Sequence, residues 1–334
     1  MYSFNNIGSE YENSLARKSF VKGIGNKIGI TLIVFTIASL VFGSVLGVVL
    51  TIGGALMGNE LMLVTDNNII IAASSVISVI LMTIPFIILT KSSNISLSSA
   101  VSLKKVSYGL LFALVAIAFG FNAIGNIATN LFASAMGAVG ITPVAPPFDL
   151  SNDLMGFLLS IVCIGVFPAL VEEFAFRGVI LSILKKRFSP TSSIIISAVV
   201  FGLVHGNLVQ IPFALLMGLA FGYITVYSGS LWPAIIAHFL NNTMSCVMDY
   251  ATRGATPLTT MIISSVYMIV SIALLIIGVI LLLKRDNHAL KLPQSGTDFT
   301  IGTKTTVKWF LQSPAMIVFA VMTVLQIIIT QASY

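Results

Sequence analysis

Residues 28–53 read IGITLIVFTIASLVFGSVLGVVLTIG and contain no Asp, Glu, Lys, Arg or His. A helix needs about 20 apolar residues to cross the hydrocarbon core of a bilayer, and this run is long enough. The composition agrees, because 57% of the 334 residues are hydrophobic and only 8% are charged, whereas soluble domains carry about 25% charged residues. The strands of an outer-membrane barrel would instead alternate over short segments. We therefore predict an all-α fold, a polytopic transmembrane helix bundle of eight or nine spans.

Similar apolar runs recur along the chain, and nine spans can be drawn. They are 28–53, 67–90, 107–136, 153–187, 191–206, 209–227, 231–252, 259–283 and 312–331. The fourth is too long for one straight crossing, since a helix rises about 1.5 Å per residue and the bilayer core is about 30 Å thick. We expect its end at Lys185-Lys186-Arg187 to project into water, and Pro168 to bend it.

Short basic clusters beside the spans predict the topology. The cluster before the first span consists of Arg17, Lys18, Lys22 and Lys27. By the positive-inside rule, the N-terminal segment 1–26 is expected in the cytoplasm. We expect a membrane core at 27–285, a cytoplasmic loop at 286–311 and an additional C-terminal transmembrane helix at 312–334. The net charge of +6 is spread over such clusters, which meet anionic lipid. This distribution predicts a multi-pass cell-membrane protein that does not bind nucleic acid.

Ionisable residues inside the apolar runs are confined to the middle of the chain. Glu172, Glu173 and Arg177 lie in the fourth span, His205 in the fifth and His238 in the seventh. A charged group at the bilayer centre costs at least ~2.5–3.5 kcal/mol, so it persists only with a partner or a function. Counted from the helix ends at about 1.5 Å per residue, these groups reach similar depths. The sequence therefore predicts one buried polar site.

The spacing assigns the fourth-span residues to two helix faces. Glu173 and Arg177 are four positions apart, which predicts an ion pair with a structural role. Glu172 lies about 100° further round the helix and can point elsewhere. We therefore expect Glu172, rather than Glu173, to be available for chemistry.

The polar groups of three spans suit hydrolysis of an acyl bond. A carboxylate and an imidazole that face one water can activate it as a nucleophile, a task that fits Glu172 and His205. An imidazole and a carboxamide are good donors to a developing oxyanion, a task that fits His238 and Asn242. The implied reaction is hydrolysis of a peptide bond, and no cofactor is required for it.

A metal mechanism is the alternative use of the same residues. Glu172, His205 and His238 make a reasonable zinc set, with water in the fourth position. However, no HExxH motif is present, and the three ligands would come from separate helices. We favour direct catalysis, with zinc as the alternative.

Three motifs in this region carry a family resemblance. Residues 172–177 read EExxxR, 201–205 read FxxxH and 238–242 read HxxxN. In this order, on successive membrane helices, they resemble the signature of the CAAX protease and bacteriocin-processing family, which includes the type II CAAX prenyl endopeptidases. The resemblance covers about residues 153–250, and the flanking spans match only in being apolar.

The resemblance implies a role for each motif residue. The catalytic glutamate of the family falls on Glu172 and its water-activating histidine on His205. Its oxyanion-side residues fall on His238 and Asn242, while the remaining motif positions are the supporting pair named above. The implied substrate is a membrane-associated peptide or protein, lipidated or bearing a leader, which is reached within the lipid bilayer.

Two other functions compete with an intramembrane endopeptidase. A secondary transporter would also place ionisable groups near the midplane, but it usually shows an inverted repeat, and the polar residues here form a single block. A catalytically silent member of the same fold, acting as an immunity factor or a partner of another membrane protein, is the second rival. Intact motif residues argue against it.

Overall fold

The structure is a computed structural model that describes residues 4–57, 67–144, 153–289 and 301–332. Every regular element within these ranges is helical. The helices in chain order are α1 (Phe4–Met57), α2 (Asn67–Ser92), α3 (Leu97–Ala100), α4 (Tyr108–Ala138), α5 (Leu154–Lys185), α6 (Pro190–Val204), α7 (Gln210–Ser228), α8 (Trp232–Thr252), α9 (Pro257–Arg285), α10 (Thr303–Leu311) and α11 (Pro314–Ala332).

The predicted transmembrane helix bundle is confirmed. Seven helices of the described ranges are long and apolar enough to cross a membrane, namely α1, α2, α4, α5, α7, α9 and α11. Helix α6 is apolar but has only 15 residues. Helix α8 has 21 residues and carries polar side chains along one face. Each of the nine predicted spans therefore coincides with a helix.

Helix α1 begins well before the predicted first span. It is continuous from Phe4, so the described part of segment 1–26 is helical and joins the span without a break, while residues 1–3 lie outside the described residues. The buried apolar residues of α1 begin before the predicted span and recur at helical spacing. This pattern explains why the helix extends towards the N-terminus beyond the span. The buried residues are Val21, Ile24, Ile28 and Leu32.

The region predicted as a loop at 286–311 contains helix α10. Thr306 and Phe310 are buried and lie four positions apart, so one face of this short helix packs against the bundle. Residues 290–300 of the predicted loop lie outside the described part of the chain. The loop assignment missed α10 because its residues are more polar on average than those of the spans.

Helix α5 is a single long helix with two π-helical segments. The first is Ile161–Val166 and the second is Glu173–Ile180, with the short α-helical stretch Phe167–Glu172 between them. Pro168 lies in that stretch, and it lacks the backbone N–H that a regular α-helix would use. The second π segment is buried on almost all sides, so the predicted ion-pair residues lie at the centre of the bundle. π segments of this kind often occur at functional sites.

Helix α11 packs against α1 through small residues. An added Cβ at Gly29 would lie 2.7 Å from the carbonyl carbon of Ala315, and one at Gly25 would lie 2.5 Å from the Ser313 hydroxyl. The Asn26 side-chain oxygen also accepts a hydrogen bond of 3.1 Å from the backbone N–H of Ala315. The C-terminal helix is therefore held directly by the first one.

Replacing Gly29 with alanine is expected to destabilise the protein by about 1–3 kcal/mol, because the new methyl group meets backbone atoms that cannot rotate away. Gly43 lies on the same helix, and no atom of the described part of the chain lies within 4 Å of an added Cβ there. Gly43→Ala is therefore the matched control, expected to be neutral or slightly stabilising. Thermal unfolding of the two purified variants in detergent measures the difference. Equal midpoints would show that α1 and α11 are not packed this closely.

Candidate active site

The predicted site residues come from three helices of the central bundle. Helix α5 supplies Glu172 and Glu173 at the junction between its α-helical and second π-helical segments. His205 directly follows α6 as its C-terminal cap residue. His238 and Asn242 lie on α8. The structure thus brings His238 to the two glutamates, although they are far apart in sequence.

His238 lies between the two glutamates of α5. Its Nδ1 is 2.8 Å from Glu173 Oε1, and its Nε2 is 3.9 Å from Glu172 Oε2. Because a carboxylate only accepts hydrogen bonds, Nδ1 carries a proton and donates it to Glu173. The other ring nitrogen faces Glu172 at a separation too long for a direct hydrogen bond. The sequence analysis paired Glu172 with His205 and did not anticipate this contact.

The two glutamates differ sharply in exposure. The Glu173 side chain is fully buried, whereas the Glu172 side chain is 19% exposed. Glu173 Oε1 accepts from both Arg177 and His238, while Glu173 Oε2 has no hydrogen-bond partner among the described residues. The Glu172 carboxylate makes no hydrogen bond with any described residue and faces the His238 ring at 3.9 Å. Glu172 is therefore the carboxylate that solvent or substrate can reach.

The predicted ion pair forms inside α5. Arg177 Nη1 donates to Glu173 Oε1 at 3.0 Å, and both side chains are fully buried. The guanidinium also lies over two aromatic rings, with Cζ 4.2 Å from the Phe201 centroid and 5.2 Å from that of Phe221. These cation–π contacts fall within the usual range of about 6 Å. Arg177 therefore fixes Glu173, and Glu173 fixes His238.

His205 points one ring nitrogen at its own helix. Nδ1 lies 2.7 Å from the carbonyl oxygen of Phe201, so this nitrogen carries the proton and donates it. Nε2 is then left for other partners. The ring packs edge-on against Phe201 at 4.9 Å between centroids, and Phe201 also contacts His238 at 6.1 Å. Phe201, predicted as a packing residue, lies between the two histidines.

Asn242 contacts the first π segment of α5. Its Nδ2 donates to the carbonyl oxygen of Ile164 at 2.9 Å, and its Oδ1 accepts from Asn241 Nδ2 at 3.0 Å. A carboxamide NH₂ has two hydrogens, so one remains for another acceptor. Asn242 is thus held in place by α5 while retaining one donor.

Gln326 and Gly206 border the site, and the sequence analysis missed them. Gly206 follows His205 with φ of +63°, and an added Cβ would lie 2.5–2.6 Å from the side-chain amide of Gln326 on α11. Only glycine combines that backbone angle with so close a neighbour. A glutamine within an otherwise apolar span was the available signal, because polar side chains in membrane helices usually have partners.

A zinc site is not evident in the arrangement of these side chains. Within the described residues, no group of three or more His, Cys, Asp and Glu side chains is placed to hold a metal ion. Glu172, His205 and His238, the set considered for zinc, do not form such a group.

Comparisons with known proteins match the same part of the chain. Residues 154–244 match the family model described as "Type II CAAX prenyl endopeptidase Rce1-like". The protein "Putative membrane peptidase YdiL" of Bacillus subtilis (strain 168) is 29% identical to the chain over 91 residues. That match covers 27% of this chain and 37% of the relative, so the chain spans little more than a third of the relative's length. No solved structure matches the chain significantly.

The matched residues include both glutamates of α5 and both histidines of the site. They exclude α1, α2, α4, α9 and α11, which pack around this region. Both matches are to proteins described as peptidases. The family resemblance predicted from the three motifs is confirmed: over residues 154–244, this helical membrane protein is similar to the Rce1-like type II CAAX prenyl endopeptidases.

Proposed function

We propose that the protein is an intramembrane endopeptidase that hydrolyses a peptide bond of a membrane-associated substrate. The observation that carries the proposal is the contrast between two adjacent carboxylates. Glu173 is fully buried, and its Oε1 contacts both Arg177 and His238, whereas Glu172 is partly exposed and faces His238 across 3.9 Å. Two adjacent carboxylates in such different environments can have different roles. The buried Glu173 is then a positioning group, and the partly exposed Glu172 is the reacting group.

In the proposed reaction Glu172 is the general base and His205 orients the water through its Nε2. A proton passes from the water to Glu172 as the water oxygen bonds to the peptide carbonyl carbon, and the carbonyl π electrons move onto its oxygen. The carbonyl re-forms as the C–N bond breaks. The proton on Glu172 then passes to the departing amine nitrogen. No other reactant is required, and atoms and charge balance.

The oxyanion of this intermediate is assigned to His238 and Asn242. His238 is oriented by Glu173 through Nδ1, so its Nε2, when protonated, is directed away from Glu173 and towards the Glu172 side of the site. Asn242 retains one N–H, as described above. Loss of one such donor in other hydrolases costs about 10²–10³ in kcat. The proposal therefore gives each motif residue a separate task.

The substrate class follows from the location of the site. The site residues lie on helices of the membrane bundle, and the matched family is described by its action on CAAX prenyl proteins. We propose a peptide held at or within the bilayer by a lipid group or a hydrophobic leader. The chain is expected to act on such anchored peptides in preference to soluble ones of the same sequence.

Cleavage of a fluorogenic, membrane-anchored peptide in detergent tests the function. We expect cleavage by the wild type, located by mass spectrometry, and a loss of at least about 10²-fold in kcat for His205→Ala. A parallel arm with a chelator tests the zinc alternative. Retention of activity supports the glutamate mechanism, whereas loss that zinc restores supports a metalloenzyme. If the wild type cleaved no peptide of a broad anchored panel, the proposal would be contradicted. The hypotheses of a catalytically silent protein or a secondary transporter would then be favoured.

A further inference from the structure

A pocket with two basic side chains lies away from the candidate active site. It is a cavity of about 210 Å³ between α1, the end of α2 and the end of α5. Most of its lining is apolar, and its polar lining residues are Lys27 on α1, Ser93 just after α2 and Arg187 just after α5. None of the described residues that line it is acidic. The pocket therefore combines apolar walls with two positive charges.

The two cations of the pocket keep donors available. Lys27 Nζ donates to the carbonyl oxygen of Ser92 at 2.7 Å, which uses one of its three N–H bonds. The Arg187 guanidinium lies over the Phe20 ring, with Cζ 5.6 Å from the centroid. In the described part of the chain, no carboxylate forms an ion pair with either residue. Lys27 and Arg187 are thus held by a backbone carbonyl and an aromatic ring, and neither is paired with a carboxylate of the described residues.

Ser93, which also lines the pocket, has a buried hydroxyl without a hydrogen-bond partner among the described residues. The residue is only 4% exposed. Buried polar groups are nearly always hydrogen-bonded, so this unpartnered hydroxyl, on a residue that lines the pocket with the two cations, favours a ligand there. An ammonium, a guanidinium and a hydroxyl are together suited to a phosphate group.

The apolar surface of α1 that continues from the pocket favours a phospholipid over free phosphate as the ligand. From Lys27, the exposed apolar residues of α1 continue along the same helix face at spacings of three and four. They are Ile30, Val34, Ile37 and Val41, and each is about half exposed. A phosphate bound at Lys27 therefore lies at the head of an apolar track long enough for an acyl chain. Basic pockets between helices at the membrane surface commonly bind anionic headgroups.

We propose that this pocket binds the phosphate headgroup of an anionic phospholipid, whose acyl chains lie along α1. The lysine supplies a point charge, the arginine a second cation and the serine a hydroxyl. The apolar walls, which include Ile24 and Ile183, enclose the glycerol end of the headgroup. The inference does not depend on the proposed peptidase activity, because binding is measured without turnover.

The test is native mass spectrometry of the full chain with phosphatidylglycerol, phosphatidylcholine or inorganic phosphate. We expect the wild type to retain phosphatidylglycerol, and the variant Lys27→Gln/Arg187→Gln to bind it at least tenfold more weakly. Lys104→Gln/Lys105→Gln is the matched control, because it removes the same charge from two exposed lysines outside the pocket and should bind as the wild type does.

A second variant tests the same pocket in case the double substitution prevents folding. Gly23 lines the pocket, and no atom of the described residues lies within 4 Å of an added Cβ there. Gly23→Leu should place a larger apolar side chain in the cavity without a change of charge, and it should also lose phosphatidylglycerol. Equal binding by all variants, or equal retention of phosphatidylcholine, would overturn the proposal. Competition by inorganic phosphate at the same concentration as the lipid would overturn the lipid as the ligand.

Discussion

Glutamine in place of Glu172 is expected to lower kcat for peptide cleavage by about 10²- to 10⁴-fold, the usual contribution of a general base. Glutamine has nearly the same shape but cannot accept the proton from water. The stability of the protein should change little, because the partly exposed Glu172 carboxylate makes only the 3.9 Å contact with His238. The measurement is steady-state cleavage of the anchored peptide, together with thermal unfolding of the same sample.

The matched control is Glu12→Gln, which neutralises an exposed carboxylate on α1. It should leave kcat unchanged. Cleavage by Glu172→Gln at a rate close to that of the wild type would exclude Glu172 as the base. If Glu173→Gln then proved inactive while folded, the reacting carboxylate would be Glu173, and the roles of the two glutamates would have to be exchanged.

Replacing Arg177 with methionine is expected to destabilise the protein by about 3–5 kcal/mol, because it leaves the buried Glu173 charge without its partner. The cation–π contacts with Phe201 and Phe221 are lost at the same time. Methionine fills much of the volume, so the loss reports charge rather than an empty cavity. The free energy of unfolding, measured by denaturant titration in mixed micelles, gives the value.

Two further variants separate the buried charge from the general effect of losing an arginine. Arg253→Met breaks an ion pair of the same i,i+4 spacing with Asp249, but these side chains are 31% and 62% exposed. Exposed pairs contribute about 0–1 kcal/mol, so this control should be mild. Adding Glu173→Gln to Arg177→Met should recover part of the lost stability, because the orphaned charge is removed. A double variant no more stable than Arg177→Met alone would contradict the buried-pair argument.

The sequence was sufficient for the fold class because lipid imposes a simple rule. Every span must be apolar and about 20 residues long, so runs such as 28–53 are visible without any tertiary information. The Glu173–Arg177 pair was equally accessible, since residues four apart share a helix face whatever surrounds them. Local geometry was enough for both predictions.

Contacts between distant segments were beyond the sequence. The separation of Glu172, Glu173 and His238 depends on how α5 packs against α8, and α5 contains two π segments next to the glutamates. Periodicity assumes 3.6 residues per turn, which does not hold in these segments. Depth counting therefore showed that the groups could converge but not which ring nitrogen faces which carboxylate. Gln326 was missed for the same reason, because its neighbour Gly206 lies in the connection between α6 and α7, far away in sequence.

The docking of α11 has a consequence for the biogenesis of the protein. Asn26 and Ala315, which join α1 to α11, are 289 positions apart, so their contact can form only after all of the intervening chain has been synthesised. The same helix carries Gln326 to Gly206 beside His205. Contacts at such sequence separation form late, and until then the partners stay exposed. In a nascent chain that is inserting into the bilayer, Gly206 beside His205 therefore lacks its contact with α11. That contact can form only when translation has passed position 326.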